Sequence, residues 1–283
     1  MAGLIGSRYE LVVASESAAE KAQQSYSGVY PSDAEQAGDD PDLQGYVHSL
    51  EVGSTVDGPG IRFVLFLTGC LLRCQYCHNP DTWHKLSGRP VKLSEITAEI
   101  GKYTEVLKIS GGGLTISGGE PVLQHDYTTA IFRWCRSHGI HTCLDSSGRL
   151  GERLSDAELL DIDLVLLDIK SGDPETYRKV TGHPLEPTLH FAQRLSALDR
   201  PMWVRFVLVP GLTDAVDNVE KIAAFCAELR GLERVEILRF HQMGRDKWHQ
   251  LGVDYPLEHT LPPTPELTER VRGQFRARGL TVF

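Results

Sequence analysis

LVLLDIK, residues 164–170, decides the fold. Five of its first six residues are apolar, so both faces of the extended chain are greasy and only Asp168 interrupts them. A strand of that kind is buried on both sides, as in a parallel sheet covered by helices. Working outward, similar β-rich runs occur at Arg62–Leu67, Leu114–Ser117, His141–Leu144, Trp203–Val209 and Val235–Phe240. Between them, helical patterns occur at Ser94–Leu107, His125–Ser137, Pro187–Leu198 and Ala215–Leu229. In the first, Ser94 is a plausible N-cap, and Ile96, Ile100, Tyr103 and Leu107 share one face. In the second, Gly139 is a natural stop. Strand–helix alternation implies parallel strands joined by right-handed crossovers. Six such units predict an α/β fold of the incomplete (β/α)6, TIM-like barrel type rather than a closed eight-stranded one. A last helix near Glu266–Arg278 and a short strand LTVF close the chain.

The first 43 residues read differently. ASESAAEKAQQSYSGVYPSDAEQAGDDPD, residues 14–42, is rich in Ala, Ser, Gln and acids and has little to bury. Residues 1–43 are therefore expected to be a disordered extension, with a short helix at Glu16–Gln24 as the alternative, and residues 44–283 to be the folded domain. The chain of 283 residues is 41% apolar, ordinary for a globular protein. Its 38 acids against 29 bases give a net charge of −9, which argues against a nucleic-acid binder. Six cysteines are too few for a disulfide scaffold in a chain this long. Cys135, Cys143 and Cys226 lie in apolar stretches and read as small core residues. No secretory leader or membrane-spanning run is visible, so a cytoplasmic protein that enters no membrane is expected.

Polar residues gather where the strands end, and in barrels of this type those ends form the active rim. Strand one runs into Cys70, and strand two into Ser117-Gly118-Gly119-Glu120. Strand three ends at Asp145 and Ser146, strand four at Asp168 and Lys170, and strand six just before His241, while Arg205 points from within strand five. Each has a plain alternative: a tight turn at the glycines, a cap at Asp145, an ion pair between Asp168 and Lys170, a solvated His241. The convergence of several strand ends on one rim favours a site. Backbone at Gly118-Gly119 can approach a ligand's ammonium group closely, with the charge of Glu120 nearby. Asp145 and Asp168 offer oxygens to a hard cation, ammonium or ribose, and Lys170, His241 and Arg205 offer donors to a carboxylate. The loop SGGGLTISGGE is followed by no G-K-[ST] and fits no dinucleotide fingerprint, so nucleoside triphosphate and NAD sites are disfavoured.

The segment TGCLLRCQYCHN, residues 68–79, carries Cys70, Cys74 and Cys77 in C-x3-C-x2-C spacing. Four-iron clusters usually take four cysteines, so three leave one iron open to a small molecule. The alternative is a zinc knuckle with His78 as fourth ligand, but the second cysteine pair usual in such sites is missing.

With these residues in place, the chain resembles the pyruvate formate-lyase activating enzymes, a family of glycyl-radical enzyme activases within the radical S-adenosylmethionine superfamily. The resemblance rests on the cysteine triplet with Tyr76, on ISGGEP at 116–121, and on STVDGPGIRF at 54–63. YCHNPDTW at 76–83, SGGGLTISGGEP at 110–121, GIHTCLDSSG at 139–148, LVLLDIK and RFHQMGRDKW at 239–248 complete it, from about residue 45 to the end. It implies the same incomplete barrel and a [4Fe–4S] cluster on Cys70, Cys74 and Cys77, with S-adenosylmethionine chelating the fourth iron. It implies that Tyr76, Cys77, His78, Gly118, Gly119, Glu120, Asp168, Ile169, Lys170 and His241 line the cofactor. It also implies a monovalent cation (Na+ or K+) at Asp145, Ser146, the Leu166 carbonyl and Asp168, with Ser146 where a threonine is common. Asp57 and Arg205 match positions near the bound peptide.

The implied activity is one-electron cleavage of S-adenosylmethionine to methionine and a 5′-deoxyadenosyl radical, which takes a Cα hydrogen from one glycine of pyruvate formate-lyase under anaerobic conditions. No side-chain acid or base is required. Flavodoxin or ferredoxin is the implied electron donor, and a monomer the implied state. An activase of another glycyl-radical enzyme, or a radical enzyme acting on a small molecule, is the alternative; residues 78–118 contain no cysteine for an additional cluster, which favours the formate-lyase partner.

Overall fold

The computed structural model describes residues 40–283. The expected extension, apart from residues 40–43, and its alternative helix Glu16–Gln24 lie outside the described residues. Six parallel strands form the sheet's body: β2 (Arg62–Leu67), β4 (Gly113–Gly118), β5 (His141–Ser146), β6 (Leu164–Asp168), β7 (Met202–Leu208) and β8 (Leu232–Arg239). Each matches an expected strand to within three residues. Two strands were not anticipated: β1 (Gln44–Ser54) and β3 (Arg89–Lys92) extend one side in the order β3-β1-β2-β4-β5-β6-β7-β8, both pairings of β1 being antiparallel. The sheet therefore has eight strands and two edges, and is open rather than closed. The final LTVF run contributes one parallel bridge, Val235 to Val282, on the outer edge of β8.

The helices are α1 (Leu93–Gly101), α2 (Thr104–Ile109), α3 (His125–Ser137), α4 (Asp156–Leu159), α5 (Pro174–Thr181), α6 (Glu186–Ala197), α7 (Val216–Ala227), α8 (Arg245–Gln250) and α9 (Pro265–Ala277). The single helix expected at Ser94–Leu107 is two, broken after Gly101, whose missing side chain leaves the helix weakly held there. Ser94 is not its cap. The helix begins one residue earlier, with Lys92 as N-cap and Glu95 accepting the Lys92 amide. Gly139 does end α3, at φ +65°, with the Gly139 and Ile140 amides returning to the carbonyls of Arg136 and Cys135.

The two faces of the sheet differ in chemistry. Phe63, Leu65, Leu67, Leu114, Ile116, Val165, Leu167, Val204 and Phe206 join Ile131, Phe132, Ile222 and Phe275 of the helices in one large apolar core. Each such side chain contributes about 1.5–3 kcal/mol by leaving water. Residues of opposite parity face inward: Cys143, Leu164, Leu166 and Trp203 make a small separate cluster. Asp145, Asp168 and Arg205 share strands with them, while Arg62, Thr115, Ser117 and Glu236 lie on the other parallel strands. A third apolar cluster, at the C-terminal ends of the strands, unites Leu72, Cys74, Tyr76, Val180, Phe240, Trp248, Tyr255 and Leu257. That cluster carries the cysteine loop. Cys135, Cys143 and Cys226 are buried core residues, as expected.

Candidate functional site

The cysteine loop leaves β2 through Gly69, whose φ of +95° and close neighbour Leu123 require glycine. Its even positions, Leu72, Cys74 and Tyr76, are buried, while Arg73 is exposed. Main-chain bonds hold it on both sides. The amides of Gly69 and Cys70 donate to the carbonyls of Thr82 and Trp83, and those of Arg73 and Gln75 to Thr181 and Val180 at the end of α5. Helix α5 is defined by Asp173, which accepts the Thr176 amide at 3.0 Å, by Pro174 in its first turn, and by Gly182 at φ +79° after its end.

The segment after β8 closes over this loop. Gly244 packs so tightly against Cys77 and His78 that a Cβ would lie 2.8 Å from the His78 Cα. Trp248 Nε1 donates to the Cys77 carbonyl at 2.9 Å. Lys247 Nζ donates to Asn79 at 2.9 Å and Asp81 at 3.0 Å, and His48 of β1 meets Asp81 at 2.8 Å. The His78 and His241 rings pack against each other at a 48° tilt, with centroids 4.1 Å apart. Two polar atoms of this wall, the Tyr76 hydroxyl and His241 Nδ1, are buried without a hydrogen-bond partner among the described residues.

The three thiols suit a cluster. Burial raises the pKa of all three: Cys74 to about 12 with neighbouring Cys77 and Asp168 adding to it, Cys70 further still with Cys74 adding, and Cys77 in the same direction. Backbone near Leu72 pulls the other way at Cys70, as do backbone near Asn79 and the Trp83 side chain at Cys77. Thiols that are costly to ionise alone are stabilised as thiolates by iron. The zinc alternative fares less well. His78, its fourth ligand, packs instead against the tilted His241 ring.

The glycine strand end lies beside this loop. Gly118 has φ +111°, and a Cβ on Gly119 would stand 2.4 Å from the Gly69 carbonyl oxygen. The amides of Gly119 and Glu120 donate to Leu67 and Gly69, and acceptance of an ammonium group would fall to carbonyl oxygens. The Glu120 carboxylate is committed elsewhere: it accepts from Ser146 Oγ at 2.8 Å, the Ser147 amide at 3.0 Å and Ser147 Oγ at 2.5 Å. Burial raises its pKa in spite of these bonds. They tie β4 to the end of β5.

Charged groups line the inner face. Lys170 Nζ donates to Asp168 at 2.9 Å and lies 5.9 Å from the Tyr76 ring centroid. Burial opposes its charge, but Asp168, Cys74 and Tyr76 outweigh burial and hold it protonated. Asp145 accepts from Ser117 Oγ at 2.6 Å and lies 3.2 Å from Arg205 Nη1. Burial pushes the Asp145 carboxyl up to about 6, against the pull of Arg205. Burial works against Arg205 too, but Asp145, Asp168, Asp57 and Glu236 keep it charged. Asp145 pairs with Leu166 and Ser146 with Leu167 across β5 and β6, so the four residues expected at a cation site sit on adjacent strand ends. Leu166 and Ile169 are buried, and the Ile169 amide bonds the Arg205 carbonyl.

The loop 54–61 before β2 approaches the same interior. Ser54 Oγ donates to Asp57 Oδ2, and Thr115 Oγ1 to the Asp57 carbonyl, each at 2.6 Å. Fully buried Arg62 bonds Thr115 Oγ1 at 2.9 Å and the carbonyls of Leu114 and Pro59. Sequence reasoning passed over Arg62, Thr115, Trp83 and Trp248. A signal existed for the tryptophans, since two of only four in the chain flank this loop's motifs.

The chain matches the radical SAM superfamily over residues 64–226. It is 44% identical over 232 residues to "Pyruvate formate-lyase-activating enzyme" of Staphylococcus epidermidis, covering 79% of this chain and 92% of that one. It is 41% identical over 242 residues to "Pyruvate formate-lyase 1-activating enzyme" of Escherichia coli K12, covering 84% and 98%. A solved domain of a pyruvate-formate lyase-activating enzyme from Bacteroides vulgatus superposes with a TM-score of 0.50 at 25% identity, over 61% of this chain and 98% of that domain.

Proposed function

The chain belongs to the radical SAM superfamily and, within it, to the pyruvate formate-lyase activating enzymes; from that premise we propose how its own residues perform the activation. It is an enzyme that installs a glycyl radical on pyruvate formate-lyase. Held by Cys70, Cys74 and Cys77, a [4Fe–4S] cluster would supply the one-electron reduction of S-adenosylmethionine on which hydrogen abstraction from the glycine Cα depends.

Cys70, Cys74 and Cys77 would hold the cluster, three ligands that leave it open to S-adenosylmethionine. Carbonyls of Gly118 to Glu120 would accept from the amino group of that cofactor. Tyr76, His78 and His241 form a wall beside it, with the unpaired Tyr76 hydroxyl and His241 Nδ1 available to it. Asp168, Ile169 and Lys170 close the opposite strand end, Lys170 offering charge to a carboxylate. The two carboxylates of Asp145 and Asp168, the Ser146 hydroxyl and the Leu166 carbonyl offer oxygen ligands to Na+ or K+. Asp57 and Arg205 meet the peptide that brings the glycine. Residues 44–283 form this catalytic domain, and 1–43 an extension outside it.

The observation that carries the reading is the seating of residues 239–248 on the cysteine loop, through Gly244 and the Trp248 bond to the Cys77 carbonyl. An activase motif and the metal motif thereby form one unit. Flavodoxin or ferredoxin supplies the electron, and the enzyme works as a monomer in the cytoplasm of an anaerobically growing cell. No helix among the described residues is long and apolar enough to cross a membrane. Anaerobic incubation with reductant, S-adenosylmethionine and pyruvate formate-lyase, followed by electron paramagnetic resonance, tests the reading. A glycyl radical on the lyase is expected; its absence while the cluster is intact would refute the substrate.

A further inference from the structure

The glycines of two motifs interlock where β2 and β4 begin. Gly60 has φ +64°, and a Cβ there would collide with the Gly112 nitrogen; a Cβ on Gly112 would collide with the Ile61 carbonyl oxygen. Neither position admits a side chain, so the turn 57–60 lies directly on the first residues of β4. Arg62 crosses this junction. Its parity is opposite to that of Phe63 and Leu65 in the large core, so its side chain enters the interior, where it is fully buried. It donates to Thr115 Oγ1 at 2.9 Å, to the Leu114 carbonyl, to the Pro59 carbonyl at 3.3 Å and to His141 Nδ1 at 3.2 Å. Thr115 carries the chain of bonds onward, donating to the Asp57 carbonyl at 2.6 Å.

Among the described residues no carboxylate forms an ion pair with Arg62. Burying a charge without a counter-ion is costly, so its presence points to a task beyond filling space. What it joins is the Asp57 turn and β4. That strand ends three residues after Thr115, at Gly118, where the carbonyls proposed to accept from the cofactor's amino group begin. At about 3.3 Å per residue, the two attachments stand roughly 10 Å apart along one strand. One element thus carries the peptide loop at its start and the cofactor cradle at its end. Hydrogen abstraction needs the reacting atoms held near contact, and a misplacement of about 1 Å can cost about a hundredfold in rate.

We propose that Arg62 is the positioning residue that registers the target glycine against the cofactor, by fixing the Asp57 turn to β4 through Thr115 and the Pro59 carbonyl. This rests on the reading of Asp57 as a residue that meets the peptide. Arg62 touches neither peptide nor cofactor and acts through Asp57. Without it, S-adenosylmethionine is still cleaved, but the glycine is presented out of register and fewer cleavage events end in a glycyl radical.

The test compares reconstituted full-length wild-type enzyme, Arg62→Met and Arg62→Lys acting on intact pyruvate formate-lyase. It reads the glycyl radical formed per 5′-deoxyadenosine released, together with the KM for the lyase. Methionine fills the space without charge or N–H, and lysine restores the charge at a single nitrogen. Arg62→Met should lower the ratio about tenfold and raise the KM, while 5′-deoxyadenosine release continues. Arg62→Lys should recover part of the loss, leaving the ratio about threefold below wild type. A role confined to fold stability would reduce cluster content and both products together and leave the ratio untouched. An Arg62→Met ratio within about twofold of wild type, or an Arg62→Lys ratio no better than that of Arg62→Met, overturns the proposal. If Arg62→Met fails to fold, Thr115→Val cuts the relay to Asp57 with Arg62 in place, and a ratio within the same limit of wild type overturns the proposal. A wild-type chain that forms no glycyl radical on the lyase overturns the substrate reading and this proposal with it; a normal wild-type ratio with an unshifted Arg62→Met overturns this proposal alone.

Discussion

Strand β2 is flanked by two loops that serve the same interior and are held by different forces. The loop after it, residues 68–79, sits in its own apolar cluster with Phe240, Trp248, Tyr255 and Leu257, and is laced by main-chain bonds to residues 82–83 and 180–181. The loop before it, residues 54–61, is held by polar side chains reaching up from the barrel interior: Arg62, Thr115 and Ser54. Packing fixes a position firmly, which suits ligands that must meet a cluster in one geometry. A polar scaffold is more easily rearranged, which suits a loop that meets a protein substrate. On the proposed reading, the loop after β2 carries the chemistry and the loop before it captures the peptide.

Cys74→Ala should have the largest effect, removing the cluster, cleavage of S-adenosylmethionine and radical formation together. Iron analysis and 5′-deoxyadenosine release measure this, and retained activity would remove Cys74 from the ligand set. Thr115→Val should act only on the other loop. It leaves Arg62 Nε and the Asp57 carbonyl each short of a partner in a buried place, at a cost of about 2 kcal/mol in urea unfolding. Capture of a glycine-containing peptide should weaken, while uncoupled cleavage of S-adenosylmethionine persists. If that uncoupled cleavage vanished, the division between the loops would collapse.

Asp145 lies between the two regions and should make stability depend on pH. Its carboxyl is raised in the folded chain from an ordinary value of 3.8 to about 6. The folded state therefore holds a proton that the unfolded state has lost. Stability should fall as pH rises from about 4 to about 6, by on the order of 2 kcal/mol, and should be level in that respect below about 4. Asp145→Asn should flatten that fall; an unchanged profile would assign it to another group. Lys247→Met should do least. Its ion pair with Asp81 is half exposed, so thermal unfolding should register about 0.5 kcal/mol. A loss as large as that of Thr115→Val would mean that the cysteine loop is held by charge rather than by packing.

The six parallel strands were legible because each is a compact run of β-forming apolar residues. β1 was not: within QGYVHSLEVGS, Leu50, Glu51, Val52 and Gly53 are all exposed, so no two-residue period marks it. β3 is four residues with a proline, too short to announce itself. Helix α5, which backs the cysteine loop, was readable and missed. Asp173-Pro174 and Gly182 are strong start and stop signals, but its few buried residues, Tyr177, Val180 and Thr181, give a weak stripe. The cysteines, glycines and rim carboxylates could be picked out by residue type and strand end. Their partners could not. Glu120 with Ser146 and Ser147, Trp248 with Cys77, and Lys247 with Asp81 join residues 26 to 171 positions apart, and only the folded sheet brings them together.

The central claim is that the three thiols of Cys70, Cys74 and Cys77 leave one coordination position of an iron–sulfur cluster for S-adenosylmethionine. Anaerobic reconstitution followed by iron, zinc and labile-sulfide analysis, with electron paramagnetic resonance of the reduced protein before and after S-adenosylmethionine is added, tests it most directly. The expected result is about four irons and four sulfides per chain, with a signal that changes when S-adenosylmethionine is added. Stoichiometric zinc without sulfide, or a cluster whose signal ignores S-adenosylmethionine, would contradict it.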